Sequence, residues 1–410
     1  MNVPPNASPD APGNQRPPAP LRSSRRTVLA AFAATATTAV PLLAGTPADA
    51  SARQPRDHDL LYVGTWGENQ LHAVRFDPAD GSMTSLGAVV EVSSNWVVAH
   101  PSRPLLHVAG AEPGGFVRTF RVDDRSGALI KTGEIETEAV DGASGGLSYI
   151  GLDTSRGVLL VADFATGSAA AVTVRPDGSL GAVTSSIQDT GSGPNPRQAG
   201  PHVHHVVLDP SGRFGLVADF GADRVFVRDY DRKTRRLSAG ASERSYATEP
   251  GSGPRRLAFH PNGWTVYLLN ELTADIETLR WDARTGELTA RQRMTTNAPG
   301  HTGTTSAAEL ALSGDGRHVY VSNRGDNTLV VFSVDPRTGL LSEAQRLSCG
   351  GTTPWSLSLH PGGRWLFVAN KASGTVNLFR VDQRSGLLTD TGISVPVPAA
   401  DCVAIHRVRR

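Results

Sequence analysis

Cysteine is nearly absent from this chain. Only Cys349 and Cys402 occur in 410 residues, which excludes a disulfide-rich scaffold and leaves room for one bridge at most. An excess of one charge is also missing. Lys and Arg total 40 against 39 Asp and Glu, and no basic run occurs beyond the N-terminal segment, so nucleic acid is a poor partner. The body of the chain has no apolar run long enough to span a bilayer as a helix, and no useful length keeps a helical period. Glycine (43) and proline (28) are plentiful, and they punctuate short alternating segments.

The first 50 residues read as something other than fold. A Pro/Asn-rich start is followed by "RSSRRTVLAAFAATATTAVPLLAGTPADA". This is a basic stretch with the Arg25-Arg26 pair, a moderately apolar run, and Ala48-Asp49-Ala50 as a small-x-small cleavage signal. That layout predicts an export signal over 1–50 of twin-arginine type, removed after the folded chain has crossed the membrane. The mature protein is then secreted or extracytoplasmic, with no membrane attachment after cleavage. Residues 51–59 read as a flexible linker, and 60–410 as one domain.

That domain repeats. "LYVGT", "LHVAG", "LLVAD", "GLVAD", "VYLLN", "VYVSN" and "LFVAN" end at Thr65, Gly110, Asp163, Asp219, Asn270, Asn323 and Asn370, 45 to 56 residues apart. Each is followed by a polar loop, an alternating strand such as "TLVVFSVD", a turn such as "PRTGLL" and a further short strand. Most are preceded by a strand that ends in a turn such as "DPSGR" or "HPNGW". Two-residue alternation bounded by Pro, Gly and Asp reads as strand, and four strands per unit at this period predict a β-propeller blade. The fold expected is all-β, a seven-bladed propeller. The first unit lacks an inner strand and the C-terminal "CVAIH" supplies one, so the ring closes and buries its edges.

Strand direction reverses at each step within a blade. The loop into an inner strand and the loop out of the second strand therefore lie on one face, at the channel mouth. That parity gathers His202-Val203-His204, Arg255-Arg256, Ala308-Glu309 and Trp355 with Trp66, Asp219-Phe220, Asn270-Glu271, Asn323-Arg324 and Asn370-Lys371. His204, Arg255, Ala308 and Trp355 take equivalent places. His100, His260 and His360 precede the repeated turn Pro or its equivalent at the other end and read as turn residues.

His202, His204 and His205 do not repeat in other blades. They either hydrogen-bond to neighbouring loops or serve a role special to this blade. A metal site is not expected, because no third ligand stands at a diagnostic spacing. Arginines at 255 and 324 offer rigid donor forks for carboxylate or phosphate, or else pair with Glu271, Glu309 or Asp219. Glu271, set among arginines, should have a depressed pKa, which suits a base or an orienting group. Asn270, Asn323, Asn370, Asp163 and Asp219 recur and read as loop ties. No serine-nucleophile elbow, zinc-protease helix motif or phosphate loop is present.

With "RQAGPHVHHVVLDPSGRFGLVADFGADRV", "GSGPRRLAFHPNGWTVYLLNEL", "AAELALSGDGRHVYVSNRGDNTLVVFSVD" and "GGTTPWSLSLHPGGRWLFVANKASGTVNLFRVD", the chain from Leu60 to Arg409 resembles the seven-bladed lactonases. These form the bacterial 6-phosphogluconolactonase and fungal carboxy-cis,cis-muconate cyclase group. The resemblance implies catalytic roles for His204 or His202, Arg255, Glu271 and Arg324, with arginines on the substrate anion or oxyanion and His and Glu handling protons. Arg256, Glu309, Asn323, Asp219 and Trp355 are the accompanying substrate-binding candidates. The family usually carries His where Arg256 stands. No cofactor and no metal are implied.

The function expected is therefore an exported monomeric lactone hydrolase of the carboxylic-ester class, acting on a small anionic or sugar-derived lactone. The alternatives are a non-catalytic exported ligand-binding propeller of the "YVTN"-repeat type and an isomerase or cyclase of the muconate-cyclase type.

Overall fold

A computed structural model describes residues 58–112, 114–137, 146–239 and 244–408. The expected export segment and nearly all of the linker lie outside the described residues. Among those described, seven antiparallel sheets follow one another along the chain. Blade 1 joins the inner strand Ala400–Arg407 to Asp59–Thr65, Gln70–Phe76 and Met83–Glu91. Blades 2 to 7 then begin at the inner strands Trp96–Ala99, Leu147–Asp153, Val203–Leu208, Pro254–Phe259, Ala307–Leu312 and Pro354–Leu359. The seven-bladed propeller expected from the repeats is what forms, and its ring closes through the C-terminal strand. In blade 4 the described outer-strand residues are Arg236–Ser238 and Arg244–Ala247, both paired to Arg224–Asp231.

The second strand of every blade is almost wholly buried, because both of its faces meet neighbouring blades. Apolar clusters accordingly straddle blade boundaries. At the closure, Phe76 of blade 1 meets Phe367 of blade 7 edge-on with ring centroids 4.8 Å apart. Trp365 packs against Phe76 and donates its indole N–H to the Pro78 carbonyl at 2.9 Å. The His360 imidazole reaches Asp59 at 2.9 Å. Each fully buried aromatic contributes about 1.5–3 kcal/mol through burial, so closure is stabilised as an interior rather than as an exposed strand edge.

The turns follow their sequence chemistry. Asp335 Oδ1 accepts the N–H groups of Arg337 and Thr338, and Gly339 closes the turn at φ 73°, a conformation open to glycine. At the opposite end of the blades, the Nδ1 of His100, His260 and His360 accepts the backbone N–H two residues ahead, at 3.0 to 3.2 Å. These histidines hold turns, as the repeat implied.

The feature that shapes the mouth is a β-bulge at the start of the inner strands. Val203 pairs with Asp219 and His205 with Ala218, so His204 is left over. The same skip leaves Arg255, Ala308, Trp355 and Ser148 in blades 5, 6, 7 and 3, and Asp401 in blade 1. Asn95, just before the Trp96–Ala109 pair, holds the place in blade 2. A bulge turns the extra residue out of the ladder, here toward the channel.

Candidate active site

A cavity of about 600 Å³ opens at this mouth. Its walls include five of the bulge residues, Asn95, Ser148, His204, Arg255 and Trp355, together with Trp66, Phe164, Glu271 and Arg324 from the loops that leave second strands. The parity of strand directions thus selects the correct face, and the equivalence of His204, Arg255, Ala308 and Trp355 holds residue by residue.

Glu271 is the centre of the charged wall. Its side chain is 2% exposed. Oε2 accepts from Arg255 Nη1 at 2.7 Å, while Oε1 takes Arg197 Nη1 at 2.8 Å and Arg324 Nη2 at 2.9 Å. Burial alone would raise its pKa. The guanidinium groups of Arg324, Arg255 and Arg197 outweigh burial and bring the carboxyl down to about 2. Three cations against one carboxylate leave this wall strongly positive.

Arg255 is fixed from three sides. Its Nε donates to the Ala308 carbonyl at 2.6 Å, and its Nη1 serves both Glu271 and His204 Nε2. Burial, with the nearby Arg324 and Arg256 charges, lowers its pKa to about 9 despite Glu271. A guanidinium only donates, so the His204 Nε2 accepts and the neutral ring carries its proton on Nδ1, which is buried without a partner. Burial first, then Arg255 and Arg256, hold the His204 pKa well below the usual histidine value.

Arg324 lies over the Trp355 ring at 4.3 Å, with two N–H groups on Ser306 Oγ at 3.1 and 2.8 Å. Lys371 sits 4.0 Å from the Trp355 ring centroid and 4.1 Å from that of Trp66. Trp355 is therefore a wall that spaces cations apart. Beneath, Arg256 pairs with Glu309 at 2.6 Å and stacks on Trp96 and Tyr149, 4.0 and 4.6 Å from their centroids. One of its amino groups, Nη1, has no partner. Burial raises the Glu309 pKa against the opposing Arg256 charge.

His204, Arg255, Glu271, Arg324, Arg256 and Trp355 therefore converge on the cavity, with Glu309 behind Arg256. Three other candidates do not. The His202 ring stacks on Phe164 at 4.5 Å and meets the Phe164 carbonyl through Nδ1 at 2.7 Å. Asp219 Oδ1 accepts the backbone N–H groups of His202, Gly221 and Ala222. Asn323 ties Thr296 and Asn297 to Gly325. The last two are the loop ties that their recurrence indicates. Among the described residues no three His, Cys, Asp or Glu side chains are grouped to hold a metal ion.

Arg197 was not among the candidates drawn from sequence. It is the middle residue of the 3-10 turn Pro196–Gln198, in the loop before blade 4, where Asn195 Oδ1 accepts the Arg197 N–H. Its guanidinium also lies 4.7 Å from the Phe220 centroid. The signal available was the unusual length of that loop, which is also the longest repeat gap.

Residues 60–405 match the family described as "Lactonase, 7-bladed beta-propeller". Among solved structures, the chain is similar to a periplasmic gluconolactonase of Pseudomonas aeruginosa. The identity is 33% and the TM-score 0.77, over 86% of this chain and 100% of that one. A putative 6-phosphogluconolactonase of Bacteroides fragilis aligns at 25% identity and TM-score 0.75, over 85% and 98%. The 6-phosphogluconolactonase of Bacillus subtilis is 28% identical over 298 residues, 72% of this chain and 82% of that protein. With its closed ring and charged mouth, the chain belongs to the seven-bladed β-propeller lactonase family.

Proposed function

We propose that this protein hydrolyses a small lactone that carries anionic or sugar-derived groups, with no metal or cofactor taking part. The observation that carries the reading is the convergence of Arg255, Arg324 and Arg197 on the single carboxylate of Glu271 at the cavity wall. The unneutralised donor groups suit a substrate anion and the oxyanion that forms when water adds to the lactone carbonyl. Glu271, at about 2, holds the arginines in place rather than carrying protons. His204 is neutral and is the imidazole at the wall. When a substrate anion draws Arg255 away from it, the freed Nε2 takes the proton of the attacking water and returns it to the ring oxygen as the C–O bond breaks.

Purified mature chain, screened against a panel of sugar and alkyl lactones, tests this. His204→Gln and Arg324→Met should each lower kcat/KM at least 100-fold while the fold stays intact. Wild-type protein that turns over no lactone in the panel would overturn the reading.

One observation favours a second reading. Both oxygens of Glu271 are already filled by the protein's own arginines, which also suits a mouth that binds an anion without chemistry. Tight anion binding without turnover is its signature.

We also propose export. The support is the Arg25-Arg26 leader with its Ala48-Asp49-Ala50 cleavage signal, together with the periplasmic description of the Pseudomonas aeruginosa relative. Cell fractionation of the full-length chain, with and without lysines at 25 and 26, tests it; retention of both forms in the cytoplasm would refute it.

A further inference from the structure

The repeat is broken at three turn positions, all at the end of the blades opposite the mouth. In blades 4 to 7 the fourth residue of the turn from inner to second strand is glycine: Gly212, Gly263, Gly316 and Gly363. In blades 2 and 3 it is Arg103 and Arg156. The turn from third to outer strand runs Asp-x-x-x-Gly in blades 1, 2, 5, 6 and 7, closing at Gly81, Gly127, Gly286, Gly339 and Gly386. In blade 4 the same turn closes at Arg235, which keeps the left-handed backbone of the glycine at φ 56°. That conformation is free to glycine and strained for a residue with a Cβ.

The three arginines meet. Together with Arg175 they line a cavity of about 630 Å³ between blades 2, 3 and 4, no smaller than the one at the mouth. Small-molecule sites span roughly 300–1,000 Å³. Ser102, Thr154, Ser155 and Thr173 add hydroxyls to its walls, and among the described residues no aspartate or glutamate lines it. The guanidinium groups are held mainly by backbone. Arg235 Nε donates to the Arg156 carbonyl at 3.1 Å, Arg103 to the Pro176 carbonyl and Arg175 to the Leu180 carbonyl. Arg156 donates to the Pro210 carbonyl at 2.9 Å and pairs with Asp153 at 2.5 Å. The Asp177 carboxylate, close enough to feel the Arg175 charge, is taken by Ser179. A carbonyl anchors a guanidinium without cancelling its charge, and these bonds use one or two of the five N–H donors on each fork.

We propose that this cavity is a second ligand site, for a small molecule that bears two or more phosphoryl groups. A phosphoryl group brings nearly two negative charges and three acceptor oxygens at neutral pH. The planar guanidinium fork meets those oxygens with two parallel bonds. Four guanidinium charges, less the one on Asp153, exceed the charge of a single phosphoryl group, so a second is needed for balance. The wall hydroxyls donate to the remaining oxygens. The site lies at the far end of the propeller from Glu271 and His204, and it stands independently of the lactone reading.

Calorimetric titration of the mature chain with pyrophosphate tests this, with inorganic phosphate and citrate as comparison probes. Arg103→Gly and Arg235→Gly return each turn to the residue that other blades use, and Arg235→Gly should melt no lower than wild type. Each should bind pyrophosphate at least tenfold more weakly than wild type. Arg317→Gln, which alters an exposed arginine at the same end of blade 6, should change the affinity less than twofold. Wild type should bind pyrophosphate at least tenfold more tightly than phosphate or citrate. No pyrophosphate binding by wild type, phosphate or citrate bound as tightly, or losses no larger than in Arg317→Gln would overturn the site. So would a loss confined to Arg324→Met, which assigns the anion to the mouth.

Discussion

Arg255 donates from Nη1 to the Nε2 of His204, linking the inner strands of blades 4 and 5 across 51 residues of chain. The contact fixes the tautomer of a histidine whose Nδ1 has no hydrogen-bond partner among the described residues. Because the same amino group holds Glu271, imidazole, guanidinium and carboxylate act as one unit, and removing any member disturbs the others.

Glu271 gives the first prediction. Glu271→Gln leaves three guanidinium groups facing one another in a buried wall. Stability should fall by about 3–5 kcal/mol, read from urea denaturation. Lactone turnover should fall at least 100-fold at a temperature where the variant is still folded. A variant as stable as wild type would show that Glu271 does not organise the wall.

The floor pair gives a second. Arg256→Met strands the buried Glu309 carboxylate and should cost about 3–5 kcal/mol. The double variant Arg256→Met, Glu309→Leu removes both charges and should recover most of that loss, because the stranded charge rather than the lost pair is the expensive element. A double-mutant cycle measures the coupling.

Acid stability follows from the buried histidines. His204 and His205 have pKa values well below the usual 6.5, chiefly through burial. The unfolded chain therefore binds more protons than the folded one below about pH 6.5, and stability falls as pH drops through that window. Glu271, depressed to about 2, adds a further loss that begins near its ordinary value of 4.5. His205→Phe should flatten the upper part of this slope in thermal melts between pH 4 and 7.

Asp401 behaves oppositely. Its folded pKa, near 7, lies above its ordinary 3.8, so its contribution is fully present below pH 3.8 and is lost as pH rises to 7. Lys371 is the charge that opposes the shift. Asp401→Asn should therefore stabilise the protein above pH 7, by up to roughly 4 kcal/mol, with little effect at pH 4. Equal melting temperatures for variant and wild type at pH 8 would contradict the cost of burying this carboxylate.

At the ring closure, Phe76→Ala removes the edge-on contact with Phe367. It should cost about 3–5 kcal/mol and speed unfolding. Catalytic parameters at 25 °C should stay within twofold, since Phe76 lies far along its blade from the mouth.

Much of this protein was determined by sequence alone. Alternating apolar residues, Asp-x-x-x-Gly turns and the His or Asp before each tight turn act over a few positions, so strands, blade number and closure by "CVAIH" can be read locally. Strand parity then assigns His204, Arg255, Glu271 and Arg324 to one mouth. Tertiary structure alone decided how those side chains engage. Arg197 reaches Glu271 from 74 residues away, and the reach depends on the path of one long loop. His202 turns to Phe164 while His204, two residues later, turns to Arg255, because a bulge lies between the first ladder pair and the next. Asp401 comes from the far end of the chain and joins the mouth only when its strand completes blade 1. These placements arise from ladder slips and from burial between blades, which sum over many distant contacts and leave no short pattern in the residues themselves.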